Sequence, residues 1–266
     1  MDRFYVTPHR SSDPLVSLCP RESHHALHVL RVRRGTQVEL IDGVGTVLQA
    51  EVIRADRGRV ELRVLMRRRE PPPPYRLALI FGITKAGAFD SIVQQATELG
   101  VTEIRPVFTE RSVVRLSGED AVARRERWRW IAVDALKQSR GTWLPEVGAP
   151  EPLTSWLSRA SGFELQMYGA LRTGAELLPE RLARFRQTHA GRPPRSAAIY
   201  VGPEGDFTQR EQAALEIAGV EPVVLGRHVL RSQTAALCMA CILGLEMVCP
   251  HANDALTGVD ESRSGT

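Results

Sequence analysis

The stretch Val201–Glu211, with the sequence VGPEGDFTQRE, decides the fold of this 266-residue chain. It follows Ser196–Val201, an apolar run with the composition of a fully buried strand. Thr208 and Glu211 form a T-x-x-E capping box, which predicts a helix that starts at Thr208. The residues GPEGDF therefore connect the carboxyl end of a strand to the N-terminus of a helix, which is where open α/β sheets bind ligands.

The same arrangement occurs once more, further along the chain. Pro222–Leu225 is predicted as a strand, Gly226–Arg231 (GRHVLR) as a loop, and Ser232–Val248 as an apolar helix. Two such loops could form the walls of one pocket, but the residues would equally suit two tight turns with ordinary capping. Neither loop is a dinucleotide fingerprint, because no G-x-G-x-x-G sequence follows a strand, and no Walker sequence occurs.

Upstream of these loops, the apolar periodicity alternates between that of strands and that of helices. The predicted elements are strands at Arg76–Ile83, Val101–Phe108 and Phe163–Tyr168 and helices at Ala88–Leu99 and Ser117–Gln138. Gly100 lies where a glycine ends a helix. Alternation of this kind predicts a parallel sheet with helices on its faces.

Residues 1–70 read mostly as β structure. Alternating apolar and polar residues predict strands at Gln37–Asp42, Thr46–Arg54 and Arg59–Met66, and Asp42-Gly43 is a hairpin signal. One helix precedes them, with an apolar stripe of Ala26, Leu27, Leu30 and Val32, and Gly35 at its end. This segment is predicted to be a small β-barrel with one helix.

Four consecutive prolines within Glu70–Tyr75 (EPPPPY) mark the clearest boundary, because no helix or sheet runs through them. We therefore predict a β-barrel domain at residues 1–70, a proline-rich linker at 71–75 and an α/β domain at 76–250. The polar residues 251–266 are predicted to be a disordered tail.

Charge is unevenly distributed along the chain. Residues 1–70 contain 13 Lys and Arg but only 9 Asp and Glu, so the whole net charge of +4 lies in this segment. Nearly every cation is arginine, which a GC-rich genome would also produce, but a basic segment beside a neutral one suggests an acidic partner, with nucleic acid the leading candidate.

No apolar run approaches the ~20 residues of a membrane span. Four cysteines and an N-terminus without a signal-like apolar stretch predict a cytoplasmic protein.

Three further motifs have a structural and a functional interpretation. Cys238 and Cys241, with Cys249 and His251, resemble a zinc site, but an apolar helix makes buried packing the favoured role, and we expect no metal. His24 and His28 share a helix face without a carboxylate, which favours an exposed or RNA-facing cluster over a ligand set. The segment RRERWRW (residues 124–130) interleaves cations with aromatic residues, as single-strand binders do, although one tryptophan is expected in the core.

The two loops resemble the paired C-terminal motifs of the RsmE-type 16S ribosomal RNA uracil-N3 methyltransferases, a family of the SPOUT class. The family patterns are GPEGG-F-S-x-x-E and LG-P-x-LR-T-E-T-A, and this chain has GPEGDFTQRE and LGRHVLRSQTAAL. Upstream, IVQQATELGV (residues 92–101) is similar to a family segment, and HVLRVRRG (residues 28–35) to its PUA-like RNA-binding barrel. The resemblance covers about residues 1–250, and the two C-terminal motifs are specific only together.

The resemblance implies an S-adenosylmethionine-dependent methyltransferase that acts on 16S ribosomal RNA of the small subunit. It further implies a C-terminal trefoil knot, which is very rare among folds, and a homodimer. The implied cofactor-binding residues are Met167, Tyr168, Val201, Gly202, Gly205, Leu225, Gly226, Val229, Leu230, Gln233 and Thr234. The implied RNA-binding residues are Arg31, Arg33, Arg34, Lys85 and Arg140.

Arg231 and Glu204 are the candidate catalytic residues. Arg231 would stabilise the imide anion that forms when uracil N3 loses its proton, or would hold the uridine phosphate; a loop arginine at the surface is the alternative. Glu204 would complement the sulfonium or take part in proton removal, although an anion near a helix N-terminus would look the same. The target uridine would have to turn out of its stack into the pocket.

The chain departs from the family patterns at several positions. The second glycine of GPEGG is Asp206, the proline of the second motif is His228, and the glutamate of T-E-T is Gln233. The family's E-Q-S-x-R is KQSRG at residues 137–141, which replaces the acid and displaces the arginine by one residue. These changes keep two alternatives open: another RNA or base as substrate, or a non-catalytic RNA-binding factor of ribosome assembly.

Overall fold

The computed structural model describes residues 1–56, 58–83, 88–112, 118–170 and 174–248. The chain divides into two compact units, both discontinuous in sequence. The first unit contains Met1–Pro73, Phe89–Ile104 and Leu116–Ala149, and the second contains Pro74–Ala88, Arg105–Arg115 and Pro150–Thr266. One crossing between them falls in the proline-rich segment, and the domain boundaries given above stay a prediction.

The first unit contains a five-stranded sheet in the order β1-β3-β4-β5-β2. Its strands are β1 Arg3–Tyr5, β2 Leu15–Ser17, β3 Gln37–Ile41, β4 Thr46–Asp56 and β5 Arg59–Arg69. The three predicted strands are confirmed, and β4 and β5 extend beyond their predicted ends. In the hairpin that Asp42-Gly43 indicates, Asp42 Oδ1 accepts hydrogen bonds from the Val44 and Thr46 N–H groups, each at 2.9 Å. Alternate residues such as Val38, Leu48 and Leu62 form the core.

The helix before β3 differs from its prediction. Helix α1 (Pro20–His24) continues as one π-helical turn, His25–Val29, in which the Leu30 N–H donates to the His25 carbonyl at 3.1 Å. The wider turn changes the spacing of side chains, so Leu30 is exposed although Ala26 is buried. Arg31, at φ +52°, ends the helical run, and Gly35 lies in the turn before β3. The predicted helix end at Gly35 is therefore wrong.

Two more helices of the first unit are α2 (Ala88–Glu98) and α3 (Gly118–Gln138). Gly100 ends α2 at φ +79°, as predicted, and the Val101 N–H closes the turn on the Ala96 carbonyl at 3.0 Å. Trp128 is the expected core tryptophan, and its Nε1 donates to Asp90 Oδ1 at 3.1 Å. The half-buried Trp130 ring is covered by the Arg21 guanidinium, 4.8 Å from its centroid, and its contact with RNA stays a prediction.

The second unit is built on the predicted parallel sheet, in the order β11-β13-β10-β12-β6-β7. The pairs β11–β13, β13–β10, β10–β12 and β12–β6 are all parallel. Its strands are β6 Arg76–Gly82, most of β7 Glu103–Phe108, β9 Glu151–Pro152, β10 Leu165–Gly169, β11 Glu176–Leu177, β12 Ser196–Val201 and β13 Glu221–Val224. Strand β9 pairs with the end of β7. Strand β8 (Glu146–Val147) belongs to the first unit, where it pairs with Glu103–Ile104 at the start of β7. The helices are α4 Leu153–Leu157, α5 Leu178–Thr188, α6 Gln209–Ile217 and α7 Ser232–Val248.

Helix α7 has the predicted bounds and packs against β6 and β12. It buries one face through Ala236, Met239, Ala240, Leu243 and Met247. Because the helix is apolar all round, its other face carries apolar residues outward, and Leu245 is 61% exposed. The expectation that both cysteines are buried is wrong for Cys241, which is exposed, whereas Cys238 is half-buried; Cys249 and His251 lie outside the described residues.

Within the described ranges, the structure contains no helix with the length and apolar character of a membrane span. The same ranges contain no group of three or more His, Cys, Asp or Glu side chains placed to hold a metal ion.

A tyrosine in the centre of the parallel sheet makes stability sensitive to alkaline pH. Tyr200 is fully buried, donates to Gln166 Oε1 at 2.9 Å and accepts from Trp156 Nε1 at 3.3 Å. Burial raises the pKa of Tyr200 to about 12, against the smaller opposite effect of the Trp156 hydrogen bond. The unfolded chain ionises its tyrosines near pH 10, so this contribution to stability is complete below pH 10 and is lost as the pH rises towards 12.

We therefore expect the free energy of unfolding to fall by on the order of 2 kcal/mol more between pH 10 and 12 in the wild type than in Tyr200→Phe. Denaturant titrations of both proteins at several pH values measure this difference. The phenylalanine variant starts from lower stability because it loses two hydrogen bonds. The comparison therefore uses the slope of the free energy of unfolding against pH in each protein. Parallel slopes would contradict the assignment.

Candidate functional site

Three parallel strands of the second unit end at one edge of the sheet. Strand β12 ends at Val201, β10 at Gly169 and β13 at Val224. The order β13-β10-β12 places β10 between the other two. The two predicted loops therefore leave strands that are not hydrogen-bonded neighbours and lie about 10 Å apart. Sequence order could not reveal this, because β10 precedes both strands in the chain and inserts between them.

The GPEGDF loop packs tightly against its own backbone and against the end of β6. A Cβ atom on Gly202 would lie 2.9 Å from Phe207 N, and one on Gly82 would lie 2.6 Å from Pro203 Cδ. Neither position can hold a side chain without a shift of the loop. Gly202 is therefore explained by the packing of the loop itself, and its contact with a cofactor stays a prediction.

The backbone conformation of Asp206 explains why the family motif has a glycine at this position. Its φ is +60°, the left-handed region that glycine adopts without cost. Aspartate tolerates this region better than most residues because its side chain can hydrogen-bond locally. Here Oδ1 accepts from the Phe207 N–H at 2.7 Å, while the Asp206 N–H donates to the Pro203 carbonyl at 2.8 Å. Aspartate in place of the motif's glycine therefore preserves the conformation of the turn.

The capping-box residue Glu211 caps α6 and also binds the turn after β7. Glu211 Oε2 accepts from the Thr208 N–H at 2.8 Å, and Oε1 accepts from the Glu110 N–H at the same distance. Arg111 donates to the Gly205 carbonyl. These bonds attach the GPEGDF loop to the turn after β7. The T-x-x-E pattern predicted the cap, but no sequence signal pointed to Glu110 or Arg111 as partners.

Glu204 lies at the exposed tip of the turn Pro203–Asp206. Four residues separate it from Gln209, the first residue of α6, so it is not in the first helical turn, and Glu211 is the acidic residue there. An exposed carboxylate is free to face a bound ligand. The catalytic role of Glu204 stays a prediction.

The second loop, Leu225–Arg231, is more open than the first. Leu225 and Leu230 are half-buried, and Val229 is 75% exposed. No heavy atom outside the neighbouring residues lies within 4 Å of a Cβ built on Gly226. Among the described residues, no hydrogen bond engages the backbone N–H groups of residues 226–230. Free amide donors beside exposed aliphatic side chains suit the edges and faces of a planar base such as adenine.

Arg231 joins this loop to α7. Its carbonyl accepts the first helical hydrogen bond, from the Ala235 N–H at 2.9 Å, so the residue occupies the N-cap position and its backbone is fixed. Its side chain is exposed and has no ion-pair partner within the described part of the chain. Gln233 is half-buried and Thr234 exposed in the first turn of α7. A guanidinium on a fixed backbone is thus available to a ligand at this edge of the sheet.

Met167 and Tyr168 lie on the intervening strand β10, with fully buried side chains. Tyr168 donates to Glu216 Oε1 at 2.8 Å and packs edge-on against Phe207, with ring centroids 6.3 Å apart. Val201 is also buried at the end of β12. These three side chains pack in the core, so a contribution to ligand binding would come from their backbone.

The predicted RNA-binding arginines Arg31, Arg33, Arg34 and Arg140 are exposed and belong to the first unit. Among the described residues, no hydrogen bond or ion pair engages their guanidinium groups. Lys85 lies outside the described residues. The structure therefore leaves these four cations available for phosphate groups.

Known RNA methyltransferases resemble this chain over most of its length. Residues 71–244 match the model of an RNA methyltransferase domain, and residues 18–65 match that of an RNA methyltransferase PUA domain. The ribosomal RNA small subunit methyltransferase E of Synechocystis sp. is 30% identical over 235 residues, which are 88% of this chain and 74% of that protein. The protein of the same name from Mycobacterium bovis is 31% identical over 233 residues, 88% of this chain and 87% of that protein.

Solved structures show the same similarity. Ribosomal RNA small subunit methyltransferase E from Neisseria gonorrhoeae, bound to S-adenosylmethionine, is 30% identical, with a TM-score of 0.82 over 92% of this chain and 97% of that one. A Legionella pneumophila methyltransferase in complex with the same cofactor is 26% identical, with a TM-score of 0.82 over 91% and 96%. Because relatives of this name are 30% and 31% identical over most of both chains, and an RNA methyltransferase domain spans more than half of the sequence, the chain belongs to the ribosomal RNA small subunit methyltransferase E family.

Proposed function

We propose that this protein transfers a methyl group from S-adenosylmethionine to N3 of a uracil in 16S ribosomal RNA. The observation that carries the proposal is the second loop: free backbone amides, exposed aliphatic side chains and the exposed Arg231 occur together at the sheet edge that also holds the GPEGDF loop. Relatives named for the small-subunit ribosomal RNA support the substrate.

The residues at this edge fit S-adenosylmethionine. The backbone donors of residues 226–230 and the side chains of Leu225, Val229 and Leu230 would hold the adenosine moiety, and Gly205, Gln233 and Thr234 would complete the site. When bound, the cofactor supplies an electrophilic methyl group on a sulfonium. The protein then has two tasks, which are to position the uracil in line with that group and to assist the departure of one proton.

Arg231 is the residue best placed for the second task. Uracil N3 is a poor nucleophile until its proton leaves, and a guanidinium stabilises the imide anion that results. Glu204 would act as proton acceptor or balance the positive charge of the sulfonium. Gln233, in place of the family's glutamate, keeps the hydrogen-bonding capacity of that position without its charge.

The finer architecture belongs to the same proposal. We expect a SPOUT-type fold with the C-terminal segment threaded into a trefoil knot, and closure of the five-stranded sheet into a PUA-like barrel. The exposed apolar face of α7, which includes Cys241, Leu245 and Val248, supports a homodimer. The net positive charge suits ribosomal RNA in the cytoplasm.

A methyl-transfer assay tests the proposal. Small ribosomal subunits from cells that lack the protein are incubated with purified protein and methyl-deuterated S-adenosylmethionine, and the nucleosides of the 16S RNA are analysed by mass spectrometry. We expect deuterated N3-methyluridine at one position. Label in another base would contradict the uracil assignment.

The specific observation that favours an alternative is Gln233, since loss of the family's carboxylate could remove turnover. The alternative is an RNA-binding assembly factor that keeps the fold without catalysis. Calorimetry with S-adenosylmethionine separates the two, because absence of cofactor binding would favour the non-catalytic protein.

A further inference from the structure

The turn that follows β7 is held together by its own hydrogen bonds. In this turn, Thr109–Ser112, the Ser112 N–H donates to the Thr109 carbonyl at 3.1 Å and the Ser112 hydroxyl accepts from the Thr109 N–H at 3.0 Å. The hydroxyl of the buried Thr109 lies 3.0 Å from the same Ser112 Oγ. Just before the turn, the Ile83 N–H donates to the Val107 carbonyl at 2.9 Å and joins β7 to the end of β6. The turn is therefore fixed both locally and by its strand.

The GPEGDF loop reaches this turn by crossing the end of β6. The order β12-β6-β7 places the start of the loop and the turn on strands about 10 Å apart, with β6 between them. Gly82 ends β6, and a Cβ atom there would lie 2.8 Å from the backbone nitrogen of Pro203. A glycine at the end of the middle strand therefore gives the loop room to pass.

Two hydrogen bonds join the loop and its helix to the turn. The Glu211 carboxylate, which is buried, accepts from the Glu110 N–H at 2.8 Å, and Arg111 donates to the Gly205 carbonyl. Both bonds involve an ionised group, which makes them stronger than bonds between neutral groups. The Arg111 stem also covers Gly205, since a Cβ atom built on this glycine would lie 3.2 Å from Arg111 Cδ and 3.4 Å from Arg111 Cβ.

The part of the loop that these bonds hold is the part that faces outward. Pro203–Asp206 forms a turn closed by the Asp206 N–H on the Pro203 carbonyl, and Glu204 is exposed at its tip. Among the described residues, no hydrogen bond engages the Gly205 N–H. Arg111 thus fixes the carbonyl side of Gly205 while its amide donor stays available to a ligand.

We propose that Glu211 and Arg111 are positioning residues of the cofactor site, which act by holding the GPEGDF loop against the Thr109–Ser112 turn. The proposal rests on the proposed function insofar as the loop binds S-adenosylmethionine. A loop that is held in its binding conformation before the cofactor arrives gives a lower apparent Kd, because the Kd rises by the inverse of the fraction of molecules in that conformation. The turn after β7 thereby determines cofactor affinity through the loop, without touching the cofactor.

Glu211→Gln tests the carboxylate bridge. A glutamine amide has one oxygen, so it can accept from the Thr208 N–H or from the Glu110 N–H, but not from both in the present geometry. We expect the Kd for S-adenosylmethionine to rise by roughly fivefold to tenfold, with a near-normal rate of methyl transfer at saturating cofactor. Glu180→Gln is the matched control, because Glu180 has the same N3 position in α5 and bonds its own cap, the Leu177 N–H, at 3.4 Å. It should keep the wild-type Kd.

Arg111→Ala removes the second bond and leaves the capping box intact. The side chain is exposed, so the thermal midpoint should change by less than about 2 °C while the Kd again rises roughly fivefold. Arg111→Lys keeps a donor and a methylene stem over Gly205, and it should restore most of the affinity. Arg210→Ala, which removes another exposed arginine from the first turn of α6, should behave as the wild type.

Hydrogen exchange in the cofactor-free protein provides a readout that does not depend on S-adenosylmethionine. The Asp206 N–H is bonded to the Pro203 carbonyl and the Phe207 N–H to Asp206 Oδ1. Protection of these two amides should fall by about tenfold or more in Glu211→Gln and Arg111→Ala, and should stay unchanged in Glu180→Gln and Arg210→Ala.

An unchanged Kd in Glu211→Gln and Arg111→Ala would overturn the proposal. Weaker cofactor binding with unchanged amide protection would also overturn it, because the side chains would then contact the cofactor directly. A wild type that binds the cofactor but transfers no methyl group would contradict the proposed function alone, and the Kd values of the variants would still decide the positioning role. A wild type without affinity for S-adenosylmethionine would overturn both.

Discussion

Replacing Arg231 by alanine is expected to lower the rate of methyl transfer by on the order of 10²–10³-fold while the Kd for S-adenosylmethionine changes little. The side chain is exposed without an ion-pair partner among the described residues, so its removal leaves no buried group unsatisfied. Its backbone stays in place because the N-cap bond to the Ala235 N–H uses the carbonyl. Single-turnover transfer to small subunits and calorimetry with the cofactor measure the two quantities.

Arg227→Ala is the matched control, because Arg227 is an exposed arginine of the same loop. We expect it to keep most of the wild-type rate. If Arg231→Ala weakened RNA binding and left the rate at saturating RNA unchanged, Arg231 would hold a phosphate and would not stabilise the anion. If it weakened cofactor binding instead, Arg231 would belong to the wall of the cofactor site.

The second large effect is expected from Gly202→Ala. The new Cβ would lie 2.9 Å from Phe207 N and 3.0 Å from the Asp206 carbonyl carbon, and these backbone atoms cannot move as the end of a side chain can. We expect a loss of about 1–3 kcal/mol in the free energy of unfolding, which corresponds to a midpoint lower by roughly 3–10 °C. Because the whole loop must shift, the affinity for S-adenosylmethionine should fall about tenfold, or by about 1.4 kcal/mol.

Gly118→Ala is the control for this substitution. Gly118 begins α3, and a Cβ there meets no heavy atom within 4 Å, so thermal stability and cofactor affinity should both stay close to the wild type. Thermal denaturation and calorimetry again provide the readout. A Gly202→Ala protein with unchanged midpoint would mean that the loop adapts at no cost, and the packing described above would not explain the glycine.

Signals between residues close in sequence predict much of the secondary structure of the second unit. The apolar run Ser196–Val201, the capping box at Thr208 and the uniform helix Ser232–Val248 are each specified by residues close together in sequence, and the structure has all three with the predicted bounds. Gly219 ends α6, as Gly100 ends α2 in the first unit, because a left-handed residue closes the last turn. The two candidate loops could therefore be found from sequence periodicity and turn chemistry.

The predictions are wrong where a residue's environment depends on distant parts of the chain. Helix α7 is apolar all round, so its sequence alone does not indicate which face packs against β6 and β12. The sequence therefore predicts a buried Cys241, although the residue is exposed. The π-helical turn at His25–Val29 has no reliable local signal, and it moved Leu30 out of the predicted apolar stripe.

The sequence by itself determined the strand–loop–helix units and the position of the glycines, since these follow from hydrogen bonds and sterics within a few residues. The candidate role of Arg231 is what the resemblance to the family implies. Only the tertiary structure decided that β10 lies between β12 and β13, and that the Glu211 carboxylate reaches the Glu110 N–H as well as its own cap. Strand order and long-range hydrogen bonds depend on how separate segments pack together, and the free energy of that packing is not encoded in any one segment.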